Sequence, residues 1–279
     1  MLEEITDPPA LLYLRGKLPD ADGIAVVGSR DCTAYGRRVA YRLGTDLARC
    51  GFAVISGLAR GIDAAAHRGA LDGNGVTVAV LPSGIDRIYP QEHARLAAHI
   101  ARTGALVTEF EPGTWVHRGS FHQRNRIIAG LAVAVVVVEA AHKSGAKITA
   151  NFGVQYNREV LAVPGPVGSP TSDGANTLIA EGAAVCTGVD SLLGQLPLPV
   201  QQRAASRLDT ARSAVSARVG GLDPAARVVL AALPPDGVRS VEQLAAATRL
   251  APSRLLAALT QMEVRGLIRS LGSQRYERL

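Results

Sequence analysis

Cysteine is scarce in this 279-residue chain, and the three that occur lie far apart at Cys32, Cys50 and Cys186. An odd number of cysteines without any CxxC spacing argues against a disulfide framework and against a zinc site. Free thiols of this kind are typical of a reducing compartment. We therefore expect a cytoplasmic protein without a bound metal.

Long apolar runs are also missing. The longest, Leu131–Val138, has the length of a strand and falls well short of the roughly 20 residues that cross a bilayer. The first residues, MLEEITDPP, are acidic and lack the apolar stretch of a secretory signal peptide. The sequence therefore predicts no membrane partner.

Lysine is nearly absent. Of the 30 basic residues, Lys17, Lys143 and Lys147 are lysine and all the others are arginine. The net charge of +6 is unevenly placed: residues 1–200 hold 18 basic and 18 acidic residues, whereas residues 201–279 hold 12 and 6. A basic C-terminal segment is typical of a protein with a polyanionic partner. A merely solvated arginine-rich surface would give the same count, so charge alone decides nothing.

Short apolar runs alternate with helical stretches over the first 190 residues. The runs that resemble strands are Ile24–Gly28, Ala53–Gly57, Val76–Leu81, Leu106–Glu109, Val133–Val138 and Val160–Val163. Such alternation predicts right-handed crossovers and an α/β fold with an extended Rossmann-like, mainly parallel sheet. We assign residues 21–191 to that domain and residues 1–20 to an N-terminal extension.

The last third of the chain has a different pattern. Residues 192–221 contain LPLPVQQR and an Ala/Ser/Arg-rich stretch, which indicates a linker. Asp223 and Pro224 then have the types that cap and open a helix. Three helical segments and a short hairpin follow. We expect a winged-helix domain over residues 222–279.

Small and polar residues follow several predicted strands. Gly28, Ser29 and Arg30 follow the first: glycine lets the backbone approach a phosphate, while the hydroxyl, the amides at the next helix start and the guanidinium can donate to it. Similar loops lie at residues 56–63, 82–86 and 139–146, the last containing Lys143 and Ser144. Because the carboxyl ends of parallel strands share one edge, four such loops predict one phosphate-binding site.

The first of these turns excludes two nucleotide-binding fingerprints. GxGxxG would need glycine in place of Arg30 and Thr33, and GxxxxGK[ST] occurs nowhere in the chain. Three carboxylates near the predicted site have no nucleophile or base motif beside them, and we assign them to loop shaping: Asp63, Asp86 and Glu109. The sequence predicts no cofactor and no catalytic residue.

Eight ordered stretches resemble the DNA processing protein A family, also called Smf. They are VVGSRDCTAYG (26–36), ISGLARGIDAAAH (55–67), VTVAVLPSGIDRIYP (76–90), TEFEPG (108–113), FHQRNRIIAGL (121–131), VVVEAAHKSGAKITA (136–150), LAVPGP (161–166) and SDGANTLIAEGA (172–183). The basic C-terminal segment is similar to the winged-helix domain that some members carry. The chain departs from the family at Asn157, where glycine is commoner.

That resemblance implies a protein that binds and protects single-stranded DNA entering the cell during natural transformation. It implies that the protein loads the RecA recombinase onto that DNA, acts as a homodimer and catalyses no known reaction. The family's DNA-contacting arginine, in a Gly-Ser/Thr-Arg motif, corresponds to Arg30. The family's second contact region surrounds its Arg-Asn-Arg motif and here points to Arg118, Phe121, Arg124 and Arg126.

Two of these assignments leave alternatives open. Arg30 could instead form an ion pair with Asp31 or Asp63. Phe121 could be a core aromatic, although the arginines around it suit base stacking over a charged groove.

The two arginines of the Arg-Asn-Arg motif need not share a role. We expect one of Arg124 and Arg126 to be structural and to contact Asp63 or Glu139 beneath the loops.

Two competing functions follow from the same patterns. Nucleotide phosphoribohydrolases use a related sheet, but their PGGxGTxxE motif has no counterpart in VEAAHKSGAKITA at 138–150. A duplex-DNA regulator would use the third helix of the winged helix. That helix offers Ser253 and Arg254 but has an apolar middle, which favours protein docking or weak duplex binding over base readout.

Overall fold

The computed structural model describes residues 2–234 and 238–278, and for residues 208–218 it describes the backbone alone. The chain forms two compact units, residues 1–207 and residues 208–279. None of the helices in the described ranges combines the length and hydrophobicity needed to cross a membrane.

The first unit contains eight strands, seven complete α-helices and two short 3-10 helices (Leu2–Glu4 and Gln91–His93) among its described residues. The strands are β1 (Tyr13–Gly16), β2 (Gly23–Val27), β3 (Ala53–Ser56), β4 (Thr77–Val80), β5 (Ala105–Thr108), β6 (Ala134–Val137), β7 (Glu159–Ala162) and β8 (Ala184–Val185). The helices are α1 (Ala34–Arg49), α2 (Ile62–Asp72), α3 (Ala94–Thr103), α4 (Ser120–Gly130), α5 (Gly145–Gln155), α6 (Asp173–Ala180) and α7 (Val189–Leu193). A further helix, α8 (Leu198–Gly220), begins in this unit and continues into the second.

The eight strands form one sheet in the order β1-β5-β4-β3-β2-β6-β7-β8. Every pairing is parallel except that of β1 with β5, so the predicted Rossmann-like, mainly parallel sheet is confirmed. The strands β3, β4 and β5 follow in order on one side of β2, and β6 then pairs with the other side of β2. Val27 pairs with Val137, so the carboxyl ends of β2 and β6 are level and flank the point where the strand order reverses. Ligands of open α/β sheets bind at such points.

The strands of the centre are buried on both faces, as expected for a parallel sheet covered by helices. The β-branched run Val135–Val137 lies in the middle of this core. Asn157 follows α5 with a φ of 53°, in the left-handed region. Asparagine tolerates that region better than most residues, which explains why it can stand where glycine is commoner.

Three elements differ from the sequence-based expectation. β1 lies inside the segment predicted as an extension, and it is an edge strand of mostly exposed residues without an apolar run. β8 was not predicted as a strand, and it has only two residues. Most of the predicted linker forms α8, because Pro199 lies in the first turn, where no N–H is needed, and Ala, Arg and Gln favour helix. Its role as an interdomain linker stays a prediction.

The second unit is a winged helix. It contains α9 (Pro224–Ala232), β9 (Val238–Ser240), α10 (Val241–Thr248), α11 (Pro252–Val264), β10 (Ile268–Ser270) and β11 (Arg275–Arg278). Asp223 caps α9 by accepting from the Ala226 amide at 2.8 Å, as its position before Pro224 predicted. β9 was not expected from the sequence, and it completes the antiparallel sheet β10-β11-β9.

Candidate functional site

A groove of about 520 Å³ opens where the strand order reverses, between the loops that follow β2 and β6. We call it the switch-point groove. Its lining includes Gly28, Ser29, Arg30, Asp63, Arg118, Phe121, Arg124, Asn125, Ser144, Gly145 and Ala146. Seven of the nine residues proposed from the sequence thus lie around one groove, and the other two, Arg126 and Lys143, do not line it.

Arg30 is exposed and stacks on an aromatic ring. Its guanidinium carbon lies 4.3 Å from the centroid of Phe121. Within the described ranges, no ion pair joins it to Asp31 or Asp63, which were its alternative partners. Phe121 is half-buried, and its ring meets Tyr89 edge-on at 5.8 Å, so it lines the groove and is not a core aromatic. The arrangement presents a cation and a ring face together.

Glu139, at the end of β6, fixes the turn that carries Arg30. Its backbone carbonyl accepts from the Ser29 amide at 2.7 Å. Its buried carboxylate accepts from the Thr33 amide at 2.9 Å and from the Thr33 hydroxyl at 2.5 Å. The amides of Ser29 and Thr33 therefore donate within the fold, and the expectation that the amides at the start of α1 donate to a phosphate stays a prediction. The turn acts by holding Arg30 in place.

Glycine is required at two positions around this turn. A Cβ on Gly28 would lie 2.8 Å from the Glu139 carbonyl oxygen, and glycine alone permits that approach. Gly61 has a φ of 73°, and a Cβ there would collide with the carbonyl oxygen of Ser29. The loop before α2 thus packs directly against the backbone of the Arg30 turn.

Arg124 is buried beneath the groove and is structural. It donates from Nη1 to the carbonyls of Gly57 at 2.5 Å and Val80 at 2.6 Å. Burial lowers the pKa of Arg124 to about 10, and the nearby carboxylate of Asp63 opposes that shift, so the guanidinium keeps its charge at neutral pH. The predicted pairing with Asp63 is therefore electrostatic, while the hydrogen bonds go to backbone carbonyls.

Asp63 shapes the loop after β3. Its Oδ2 accepts from the amides of Gly57 at 3.1 Å and Ala59 at 3.3 Å. Burial raises the pKa of Asp63, and Arg124 and these two amides oppose the rise. Asp86 shapes a second loop by accepting from the Gly113 amide at 2.7 Å. Both fit the loop-shaping role expected from the sequence.

Arg126 does not reach the groove. It forms an ion pair with Glu109 and donates to the Asp7 carbonyl at 2.6 Å. Residues two apart on a helix project about 200° apart, so Arg124 and Arg126 of α4 cannot serve the same side. Both arginines are held by contacts within the fold, and the DNA contacts that the family motif implies for them stay a prediction. Lys143 is exposed and lies outside the groove lining.

The N-terminus of α5 opens into the groove. Ser144 caps this helix by accepting from the Ala146 amide at 3.2 Å. Nothing lies within 4 Å of a Cβ placed on Gly145, so the first turn faces open space. Asn125 holds the turn by donating to the Gly145 carbonyl at 3.2 Å. A helix N-terminus attracts anions through its amides and dipole, and this one lies on the same groove as Arg30.

A smaller cavity of about 80 Å³ also borders Phe121. Tyr89, Pro90 and Arg60 line it together with Arg30. Arg60 is held by Glu92 at 2.7 Å. The sequence patterns did not indicate these residues, although Tyr89 stands in a loop after a strand, where an exposed aromatic is a signal for base stacking.

Comparison with known proteins assigns both units. Residues 1–197 match the model of the family described as DNA recombination-mediator protein A, and residues 212–274 match that of the DprA winged helix domain. A DNA processing protein from Mycobacterium tuberculosis is 43% identical over 249 residues, covering 87% of this chain and 61% of its own length. The chain therefore spans about three fifths of that relative. Protein Smf from Synechocystis is 35% identical and covers 100% of this chain and 77% of its own length.

Solved structures give the same assignment. DNA processing protein A from Streptococcus pneumoniae aligns with a TM-score of 0.67 at 38% identity, over 71% of this chain and 70% of its own. The Helicobacter pylori protein, described for its mode of binding single-stranded DNA, aligns with a TM-score of 0.65 at 29% identity, over 70% of this chain and 93% of its own. The chain belongs to the DNA recombination-mediator protein A family.

Proposed function

We propose that the chain binds single-stranded DNA in the switch-point groove. The observation that carries the proposal is the stack of Arg30 on Phe121 beside the open N-terminus of α5. A strand offers phosphates and unstacked bases side by side, and this groove offers a cation, a helix terminus and a ring face within one cavity. The single-stranded DNA binding described for the Helicobacter pylori relative supports the same reading.

Each part of the groove has a role on such a strand. Arg30 and Arg118 contact phosphates, and the Ser144 hydroxyl with the Gly145 amide receives another phosphate. Phe121 stacks on a base, which requires a base free of its complementary strand. Arg124 contributes its positive charge from below, while its Nε and Nη1 donate to groups within the fold.

The wider role follows from family membership. We propose that the protein protects single-stranded DNA entering the cytoplasm during natural transformation, loads the RecA recombinase onto it and acts as a homodimer. The winged helix serves protein docking or weak duplex contacts, since Leu256 is 53% exposed on α11, the helix that would face a groove. Light scattering tests the homodimer, and a shorter lag of RecA filament growth on SSB-coated DNA tests loading.

The decisive experiment is an anisotropy titration of labelled oligo-dT at several salt concentrations. Arg30→Ala removes a charged contact worth about 1.5–3 kcal/mol, so we expect roughly 10- to 150-fold weaker binding. Loss of one phosphate contact should also reduce the slope of log K against log salt by about 0.7. The matched control is Arg102→Ala, an exposed arginine in the last turn of α3, at the opposite edge of the sheet.

Unchanged affinity and slope in Arg30→Ala would place the site elsewhere. Sustained release of adenine from AMP by the same protein would instead favour the phosphoribohydrolase alternative.

A further inference from the structure

A second arginine–aromatic pair lies at the carboxyl edge of the sheet. The guanidinium of Arg87, in the loop after β4, lies 4.5 Å from the centroid of the Trp115 ring. Trp115 is the only tryptophan in the sequence, and it is 65% exposed even with the guanidinium over it. Tryptophan is highly buried on average, so an indole left this open is unusual. Neither residue lines the switch-point groove.

Hydrogen bonds hold the two loops of this pair together. The Gly113 amide donates to Asp86 at 2.7 Å, and the Gly84 amide donates to the Thr114 carbonyl at 3.0 Å. These bonds join the loop that carries the tryptophan to the loop that carries the arginine. The backbone beside Trp115 is thus fixed to the loop of Arg87, and the ring contacts the guanidinium of that loop.

The pair lies close to the switch-point groove along two chain paths. Arg87 is two residues from Tyr89, whose ring meets Phe121 at 5.8 Å. Trp115 is three residues from Arg118, which lines the groove. Because consecutive Cα atoms are 3.8 Å apart, the Cα–Cα distance from Arg87 to Tyr89 cannot exceed about 8 Å, and that from Trp115 to Arg118 cannot exceed about 11 Å. The small cavity between Phe121 and Tyr89 lies on the same route.

The charges around the pair favour stacking over phosphate binding. Asp86 lies 3.5 Å from Arg87 Nε, and Glu111 is exposed in the neighbouring loop. Two carboxylates oppose a phosphate there. An indole with a cation on one side stacks best on a neutral, flat and polarisable group.

We propose that Arg87 and Trp115 form a second base-stacking platform, which extends the single-stranded DNA site past Tyr89. The proposal rests on the proposed function, since the same strand would occupy both places. It predicts two kinds of contact: a salt-sensitive one at Arg30 and a salt-insensitive one at Trp115.

Trp115 reports on the test directly, because all the indole fluorescence of the protein comes from it. Oligo-dT of increasing length is titrated into the full chain. A short oligonucleotide that only fills the groove should leave the emission nearly unchanged, and longer ones should quench it at saturation.

Affinity for the longer oligonucleotide is then compared among variants. Trp115→Ala should weaken binding roughly 5- to 150-fold, the range for one stacked base, without changing the salt slope. Trp115→Phe should recover most of the loss. Tyr41→Ala removes an exposed aromatic from the middle of α1, together with its hydrogen bond to Asp72, and as the control it should bind like the unaltered protein.

The outcomes separate the two proposals. If Arg30→Ala weakens binding while Trp115→Ala binds normally and the indole is never quenched, the platform is refuted and the groove stands. If the unaltered protein fails to bind oligo-dT at all, both are refuted.

Discussion

His67 makes the fold sensitive to acid. It lies fully buried on α2, with Nδ1 2.6 Å from the Thr77 hydroxyl. That hydroxyl donates its own proton to the Val54 carbonyl at 2.6 Å, so the histidine must donate from Nδ1. Nε2 is then an unprotonated acceptor, and it has no hydrogen-bond partner among the described residues.

Protonation of this imidazole would create a buried cation. Burial, followed by the charges of His93, Arg124 and Arg68, lowers its pKa to about 3 from the ordinary 6.5. A histidine whose folded pKa is depressed contributes its full stability above the unfolded pKa and loses it as the pH falls below that value. The loss therefore begins near pH 6.5 and continues to about pH 3. At about pH 5 it amounts to about 2 kcal/mol, from 1.36 kcal/mol per pH unit.

The assay compares urea unfolding at about pH 7.5 and pH 5, followed by circular dichroism. His67→Gln cannot titrate, so its free energy of unfolding should fall about 2 kcal/mol less over this interval than that of the unaltered protein. Other titrating groups are common to both proteins and cancel. The control is His99→Gln, an exposed residue of α3, which should keep the original pH dependence. Equal pH dependence in His67→Gln and the unaltered protein, or an NMR titration of His67 near pH 6.5, would refute the reasoning.

Two further substitutions test how the groove is held. Gly61→Ala would place a side chain at a left-handed φ and in collision with the Ser29 carbonyl. It should lower the free energy of unfolding, measured by thermal unfolding, by at least about 1–3 kcal/mol, and it should also weaken oligo-dT binding. Gly168→Ala is the control, since its φ of 81° is similar but its surroundings are open; it should bind DNA normally. Arg126→Ala removes the partner of Glu109, so it should lower the urea midpoint yet change DNA affinity by less than about twofold; a large affinity loss would restore Arg126 to the site.

The sequence predicts the position of the groove because that position follows from topology. Gly28, Arg30 and Ser144 each follow a parallel strand, and such strands end at one edge of the sheet whatever the details of packing. Phe121 and Arg118 are predicted because they lie near the family's Arg-Asn-Arg motif, and for Phe121 the scarcity of aromatic residues in the chain adds to the prediction. The winged helix is predicted by its helix spacing and by the cap at Asp223.

The hydrogen bonds inside the site are not predictable in this way. Glu139 meets Thr33 across 106 residues of sequence, and no local pattern indicates which carboxylate will take the donors of that turn. Helical periodicity does separate Arg124 from Arg126, because 200° lies between them. That periodicity does not show that the carbonyl of Asp7, in the N-terminal segment, would accept a hydrogen bond from Arg126.

The charge of the groove is local to it. Residues 1–200 have equal numbers of acidic and basic residues, and Arg203 and Arg207 give the first unit a surplus of only two positive charges. The groove is nevertheless lined by Arg30, Arg118 and Arg124, against the two carboxylates of Asp31 and Asp63. Arg30 stacks on Phe121, and Arg124 is held by two backbone carbonyls. Because both cations are fixed before binding, a phosphate placed above them gains attraction from each without a rearrangement of the protein.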